Sequence, residues 1–192
     1  MADTPPMVVT ETTLARAKRG DQRAFDAIYA GFQPILLRHL RLTCGAKADD
    51  VAAAAWESVA RSIDRFDGDG EGFRRWLFVI ARRRLVDELR RDARRPLAVA
   101  DIADHDRAVE PVDELESADW ISSALRRLPT RHAEVISLRG VGGLDVADVA
   151  ELLGISEGNV RVLSHRGLSA LRDLLDEASG SPVGSEEIWQ VL

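Results

Sequence analysis

The amino-acid sequence predicts an all-α protein made of two small helical domains joined by an acidic flexible linker. Three observations carry that prediction. Hydrophobic residues make up 45% of the chain but aromatics only 5%, so the core must come mainly from Leu, Val, Ile and Ala, which suits helices better than a β-sandwich. No stretch of strand length alternates strictly between apolar and polar residues. Glycines and prolines divide the chain into helix-length pieces, with one acidic stretch poor in large apolar residues between them. A length of 192 residues accommodates one large domain or two small ones.

The elements follow in order. A helix runs from Gly20-Asp21 to about Ala30, and Pro34 opens the next, to about Thr43. Gly45 ends that helix, and Lys47–Ile63 reads as the third. Phe66–Gly72, a Gly- and Asp-rich run, is a loop. Phe73–Arg91 is a helix of five turns, stopped by Pro96. Ala98–Ser117 is the linker, interrupted by Pro111. Asp119–Leu128 is helical, Pro129 restarts a helix to Arg139, and Gly140–Gly143 is a turn. Asp145–Leu153 and Ser156–Glu177 are two further helices. The domain limits are therefore 10–95, 96–117 for the linker and 118–177, with a tail at 178–192.

Charge is distributed more tellingly than its total of −6 suggests. Residues 71–95 carry +5 and residues 96–119 carry −7; residues 154–172 carry +2 and residues 173–192 carry −5. Two basic segments are thus each followed by an acidic one. Among the 26 basic residues only Lys18 and Lys47 are lysine, and arginine favours bidentate phosphate and base contacts. The single cysteine, Cys44, excludes an internal disulfide and a Cys-cluster metal site and fits a reducing compartment. The first residues, Met1–Pro6, lack a signal pattern, and apolar runs such as Val51–Trp56 and Trp76–Ala81 fall short of the ~18 residues of a membrane helix. A cytoplasmic location is expected. The histidines at 39, 105, 132 and 165 are scattered, and Gly140-Val141-Gly142-Gly143 lacks the Lys-Ser/Thr of a phosphate loop. Neither an enzyme nor a cofactor is expected.

Asp145–Leu163 carries the sharpest local signal. A helix-turn-helix needs a small residue inside the first helix, a glycine of positive φ at the turn and apolar pins that hold the helices at a steep angle. Ala150 is the small residue, Gly154 the turn, and Val149, Leu153, Ile155, Val160 and Leu163 are the pins. Ser156 is a good N-cap for the second helix. That helix buries Val160, Leu163, Leu168, Leu171 and Leu175, leaving Glu157, Asn159, Arg161, Val162, His165 and Arg166 more exposed. Asn and Arg can bond base edges in the major groove, and Arg and His can contact phosphates. Glu157 either reads a cytosine amino group or caps.

On the helix from Phe73, ~100° per residue places Arg75, Arg82, Arg83 and Arg90 within about a third of the circumference, beside an arc of Phe73, Trp76, Leu77 and Ile80. Such a helix can track a phosphate backbone and offer Trp76 to an unstacked base, or else pack Trp76 in the core. Asp49 and Asp50 at the start of the third helix, with Glu57 further on, either compensate the helix dipole or meet a basic partner.

Taken together, the segments ARAKRGDQRAFDAIYAGFQPILLRHL, ADDVAAAAWESVARSIDRFDG, FRRWLFVIARRRLVDELRRDARRP and ALRRLPTRHAEVISLRGVGGLDVADVAELLGISEGNVRVLSHRGLSALRDLL, in this order, resemble the bacterial RNA polymerase sigma factors of the extracytoplasmic-function type, the minimal members of the sigma-70 family. The resemblance implies that the first domain is region 2 and the second region 4. It implies that Asp49, Asp50 and Glu57 dock on the clamp helices of the polymerase largest subunit. It implies that the loop with Phe66, Asp67 and Gly68 holds a flipped base of the −10 element, and that Arg75, Trp76, Arg82, Arg83 and Arg90 help to melt that element. Ser156–Arg166 would read the −35 element as duplex. The linker would enter the active-site cleft, a flap of the second-largest subunit would hold the second domain, and an anti-sigma factor would cover both domains. The chain departs from the family pattern at Ala53-Ala54, where relatives carry Gln-Glu, and at Arg83, where they often carry Asn. Asp145 and Asp148 stand where they often have Ser and Glu. The alternatives are a helix-turn-helix regulator working without polymerase and a helical adaptor binding only proteins.

Overall fold

The computed structural model describes residues 10–94 and 120–179; the expected linker 96–117, Asp119 and most of the tail lie outside the described residues. Among the described residues every regular element is helical. The helices are α1 (Glu11–Lys18), α2 (Gln22–Cys44), α3 (Ala48–Ser62), α4 (Gly70–Arg94), α5 (Trp120–Arg126), α6 (Thr130–Gly140), α7 (Val146–Leu153) and α8 (Glu157–Ser179).

Helix α1 was not expected from the sequence. The Thr10 hydroxyl accepts from the Thr13 N–H at 3.2 Å and caps its start, and Leu14 and Ala17 bury its inner face. The chain then turns through Asp21, whose side chain accepts from the Ala24 N–H at 3.1 Å to cap α2 and pairs with Arg16 at 2.7 Å. The Arg16 guanidinium and the Ala24 amide together hold the Asp21 carboxyl below the usual range.

Helix α2 corrects the two-helix reading of this region: it runs unbroken through Pro34. A proline in a helix interior costs about 3 kcal/mol because it removes one ladder hydrogen bond and crowds the preceding turn. The apolar stripe Ala24, Ile28, Phe32, Leu36, Leu40 continues at i+4 straight past the proline, and all five side chains are buried. Burial of four large side chains at about 1.5–3 kcal/mol each outweighs the local cost. Pro34 itself lies on the exposed face.

Helix α3 lies against α2 and α4 through Ala48, Ala52 and Ala55, which are fully buried and let the backbones approach closely, and through Val51, Trp56 and Val59. Trp56 Nε1 donates to Gln33 Oε1 at 2.6 Å. The loop expected over Phe66–Gly72 is shorter than that: Asp69 Oδ1 accepts from the Gly72 N–H at 2.8 Å and caps α4, which takes Gly70 and Gly72 into its first turn.

In the second half α6, α7 and α8 wrap a small core of Leu125, Ile136, Leu138, Val149, Leu153, Val160 and Leu171. The two halves, expected as separate bodies, share apolar contact. Phe78 of α4 belongs to one continuous buried cluster with Val135, Leu138 and Val149, and Leu42 of α2 packs with Leu125, Ile136 and Leu171. At this seam the buried His39 ring places Nδ1 2.9 Å from the Ser137 hydroxyl and its edge on the Phe78 ring at 5.2 Å. Burial pushes the His39 pKa down to about 4, so the imidazole is neutral near pH 7.

Candidate nucleic-acid interface

The helix-turn-helix forms as the local chemistry requires. Asp145 accepts from the Asp148 N–H at 2.7 Å and caps α7. Gly154 closes α7 in the left-handed region, φ 67° and ψ 36°, while the Ile155 N–H reaches back to the Ala150 carbonyl at 3.0 Å. That backbone favours glycine and turns the chain directly into the next helix. The Ser156 hydroxyl accepts from the Asn159 N–H at 3.2 Å, so this side chain caps α8. Val149, Ala150, Leu153 and Val160 are buried, and Ile155 and Leu163 half-buried. Of the side chains expected in the helix core, Leu168 is half-buried and Leu171 buried; the Leu175 side chain lies outside the described residues.

The opposite face of α8 is open. Ser156, Glu157, Asn159, Arg161, Val162, His165 and Arg166 are all exposed, and Val162 is among the few large apolar side chains that the described residues leave in solvent. Arg161 Nη2 donates to Glu157 Oε2 at 2.7 Å, one turn back. Glu157 therefore orients Arg161 as well as facing the helix dipole, a pairing the sequence reading did not draw.

Helix α4 presents its arginines differently. Arg83 and Arg90 are exposed as expected. Arg75 is engaged by α7: its Nε lies 3.2 Å from Asp148 Oδ1, and its Nη2 pairs with Glu151. Arg82 Nε lies 3.5 Å from Glu134 Oε1 of α6. Burial and then the nearby Asp145 carboxylate push the Asp148 pKa up, against the lowering by Arg75. Trp76 is half-buried, stacked in a tilted arrangement on Phe66 at 4.9 Å and on Phe73 at 5.7 Å. Phe66 is itself buried, so its ring forms the floor under the loop rather than a surface contact.

Asp67 and Gly68 are exposed on that loop and, with Asp69, form one wall of an open cavity of about 260 Å³. Glu11, Leu14, Ala15 and Lys18 of α1 form the other wall, which the sequence reading missed. The signal was there: Thr10 as a cap before the Leu14/Ala17 spacing. Its carboxylates accept hydrogen bonds and Lys18 donates them, a mixture suited to the polar edge of a base. The third predicted group, Asp49, Asp50 and Glu57, is exposed on α3. Asp49 lies 3.8 Å from Arg41 and Glu57 3.5 Å from Arg61, both as exposed pairs.

A chain with this order of parts has known counterparts. The family pattern of sigma-70 region 2 matches residues 28–95, and that of sigma-70 region 4 matches residues 118–171. The ECF RNA polymerase sigma factor ShbA of Streptomyces griseus is 31% identical over 178 residues, covering 84% of this chain and 93% of that one. The chain belongs to the ECF sigma factors.

This sigma factor is also 32% identical over 170 residues to the RNA polymerase sigma factor CarQ of Myxococcus xanthus, covering 85% and 96% of the two chains. In structure it resembles CnrH, solved in complex with the cytosolic domain of CnrY, with a TM-score of 0.58, 25% identity and 89% and 99% of the chains covered. Membership makes the protein an alternative sigma factor acting in transcription initiation, with region 2 on α2–α4 and region 4 on α5–α8. Among its described residues no helix is long and apolar enough to cross a membrane.

Proposed function

We propose that this sigma factor divides promoter recognition between two faces, binds core polymerase through a third, and works in the cytoplasm without enzymatic activity of its own. The α8 face reads the −35 element as duplex: Asn159, Arg161, Val162 and His165 address base edges and methyl groups, and Ser156, Glu157 and Arg166 set the register on the backbone. The α4 arginines, Trp76 and the loop at Asp67-Gly68 hold the opened −10 element, with a flipped base in the cavity between α1 and the loop. Asp49, Asp50 and Glu57 meet the basic clamp helices of the polymerase largest subunit, and the flap of the second-largest subunit holds region 4. A further proposed partner is an anti-sigma factor, and CnrH, solved in complex with the cytosolic domain of CnrY, supports a protein partner for a chain of this fold.

The observation that carries this reading is the exposure of the whole predicted α8 face behind a capped, glycine-turned hairpin. Its test is transcription in vitro with purified bacterial core polymerase on pooled genomic promoter fragments. Defined start sites that require the protein are expected, and their shared upstream sequences give both elements. Specific duplex binding by the protein alone, with no initiation and no core binding, would favour a polymerase-independent regulator instead.

A further inference from the structure

The inner face of α4 carries Arg75, Phe78 and Arg82 at i, i+3 and i+7, an apolar centre flanked by two cations. The second half of the molecule answers each of the three. Asp148 and Glu151 of α7 take Arg75, and Glu134 of α6 takes Arg82. Phe78 is buried against the turn after α6, where a Cβ on Gly142 would come within 3.2 Å of its ring. The Glu134 side chain is only 18% exposed, so this carboxylate sits in the seam rather than on the rim. Arg83 and Arg90, one step round the same helix, remain exposed, and so does the reading face of α8.

A guanidinium takes a carboxylate and a phosphate with the same planar donor geometry. The partly buried pairs add to the apolar seam and the His39–Ser137 contact in holding the halves together. The same carboxylates decide what occupies the arginines.

Resting on the reading of Arg75 and Arg82 as DNA-facing, we propose that the free sigma factor is self-occluded: Glu134, Asp148 and Glu151 of region 4 stand in for DNA phosphates on α4, and single-stranded DNA competes with region 4 for the same two arginines. The occlusion is one-sided. Duplex binding through α8 stays open, whereas the single-strand surface becomes complete only when region 4 leaves α4.

The test compares the full chain with an E134Q/D148N/E151Q variant and with a D26N/D64N/D173N variant that removes equal charge elsewhere. Binding of a short fluorescein-labelled A/T-rich single strand is followed by anisotropy across a salt series, and the spatial extent of the free protein by X-ray scattering. The first variant is expected to bind on the order of tenfold more tightly than the second. Its salt slope should steepen by about 1.4, for two added phosphate contacts on a single strand, and it should be more extended in solution. E151Q alone, at a largely exposed side chain, should shift affinity the same way by less. Equal affinity, slope and extent for the two triple variants would overturn the proposal. R75A/R82A in holoenzyme separates this from the underlying reading: unchanged promoter melting there removes the DNA role of the arginines. Impaired melting, with the acid variants behaving alike, removes only the self-occlusion.

Discussion

His39 Nδ1 lies 2.9 Å from the Ser137 hydroxyl, joining α2 to α6 across 98 positions of the chain. The ring is buried and edge-on to Phe78, so a neutral imidazole is satisfied here and a charged one is not. This contact ties the stability of the region 2–region 4 seam to the protonation state of one side chain.

Acid should therefore weaken the fold. The His39 pKa is about 4 in the folded protein and ~6.5 in the unfolded chain. Between those values the unfolded state binds a proton that the folded state does not, so stability falls as pH drops through that window. The full effect is roughly 3 kcal/mol. Urea denaturation at pH 7 and pH 5 should show the loss. H39Q, which can still bond Ser137, should flatten the pH dependence between those two values.

Gly154 is a backbone requirement with no packing component. Its φ is 67°, and a Cβ there would meet nothing within 4 Å. G154A should cost about 1 kcal/mol, the strain of a left-handed residue. The Tm should fall by about 2–4 °C for a chain of 192 residues, with a smaller loss for G154N. A loss of several kcal/mol would mean that the turn also packs.

Arg161 and Glu157 act as a pair on α8. R161A should weaken −35-dependent transcription about 10- to 100-fold in holoenzyme, the range for one good base contact. E157Q should leave Arg161 less ordered and relax base preference at its position more than it lowers overall binding. The check is start-site mapping on a promoter library with each variant.

Asp49, Asp50 and Glu57 should act on polymerase far more than on the fold. All three are exposed, and their ion pairs with Arg41 and Arg61 are long. D49N/D50N/E57Q should reduce core binding by about an order of magnitude by removing the charge a basic partner meets, with an unfolding free energy within about 1–2 kcal/mol of the wild type, the share of the first-turn acids. Competition binding to core, alongside denaturation, separates the two.

The helix-turn-helix was legible at residue level because each of its signals acts over a few positions. Asp145 and Ser156 satisfy amides three residues on, and Gly154 relieves its own backbone. The exposed face of α8 followed from periodicity alone. Region 2 was read less well. Pro34 is a breaker by local rules, and it was overridden because the stripe from Ala24 to Leu40 is buried on both sides of it. Phe66 looked like a loop aromatic free to meet a base, yet the rings of Phe73 and Trp76 take it into the core.

Composition, caps and helical spacing were enough to predict the helices of the described residues, a basic helix with an arginine stripe and a helix-turn-helix with one open face. These properties depend on neighbours within one or two turns, which sequence order preserves. The partners of Arg75 and Arg82 were a different matter. Arg75 meets Glu151 across 76 positions, and nothing local to either side chain favours that carboxylate over another. The choice follows from Phe78, Leu138 and Val149 sharing one buried cluster, since apolar burial brings α4 against α6 and α7 and the charges settle where it leaves them. The hydrophobic effect is non-directional and long in sequence range, so its outcome exists only in the assembled core.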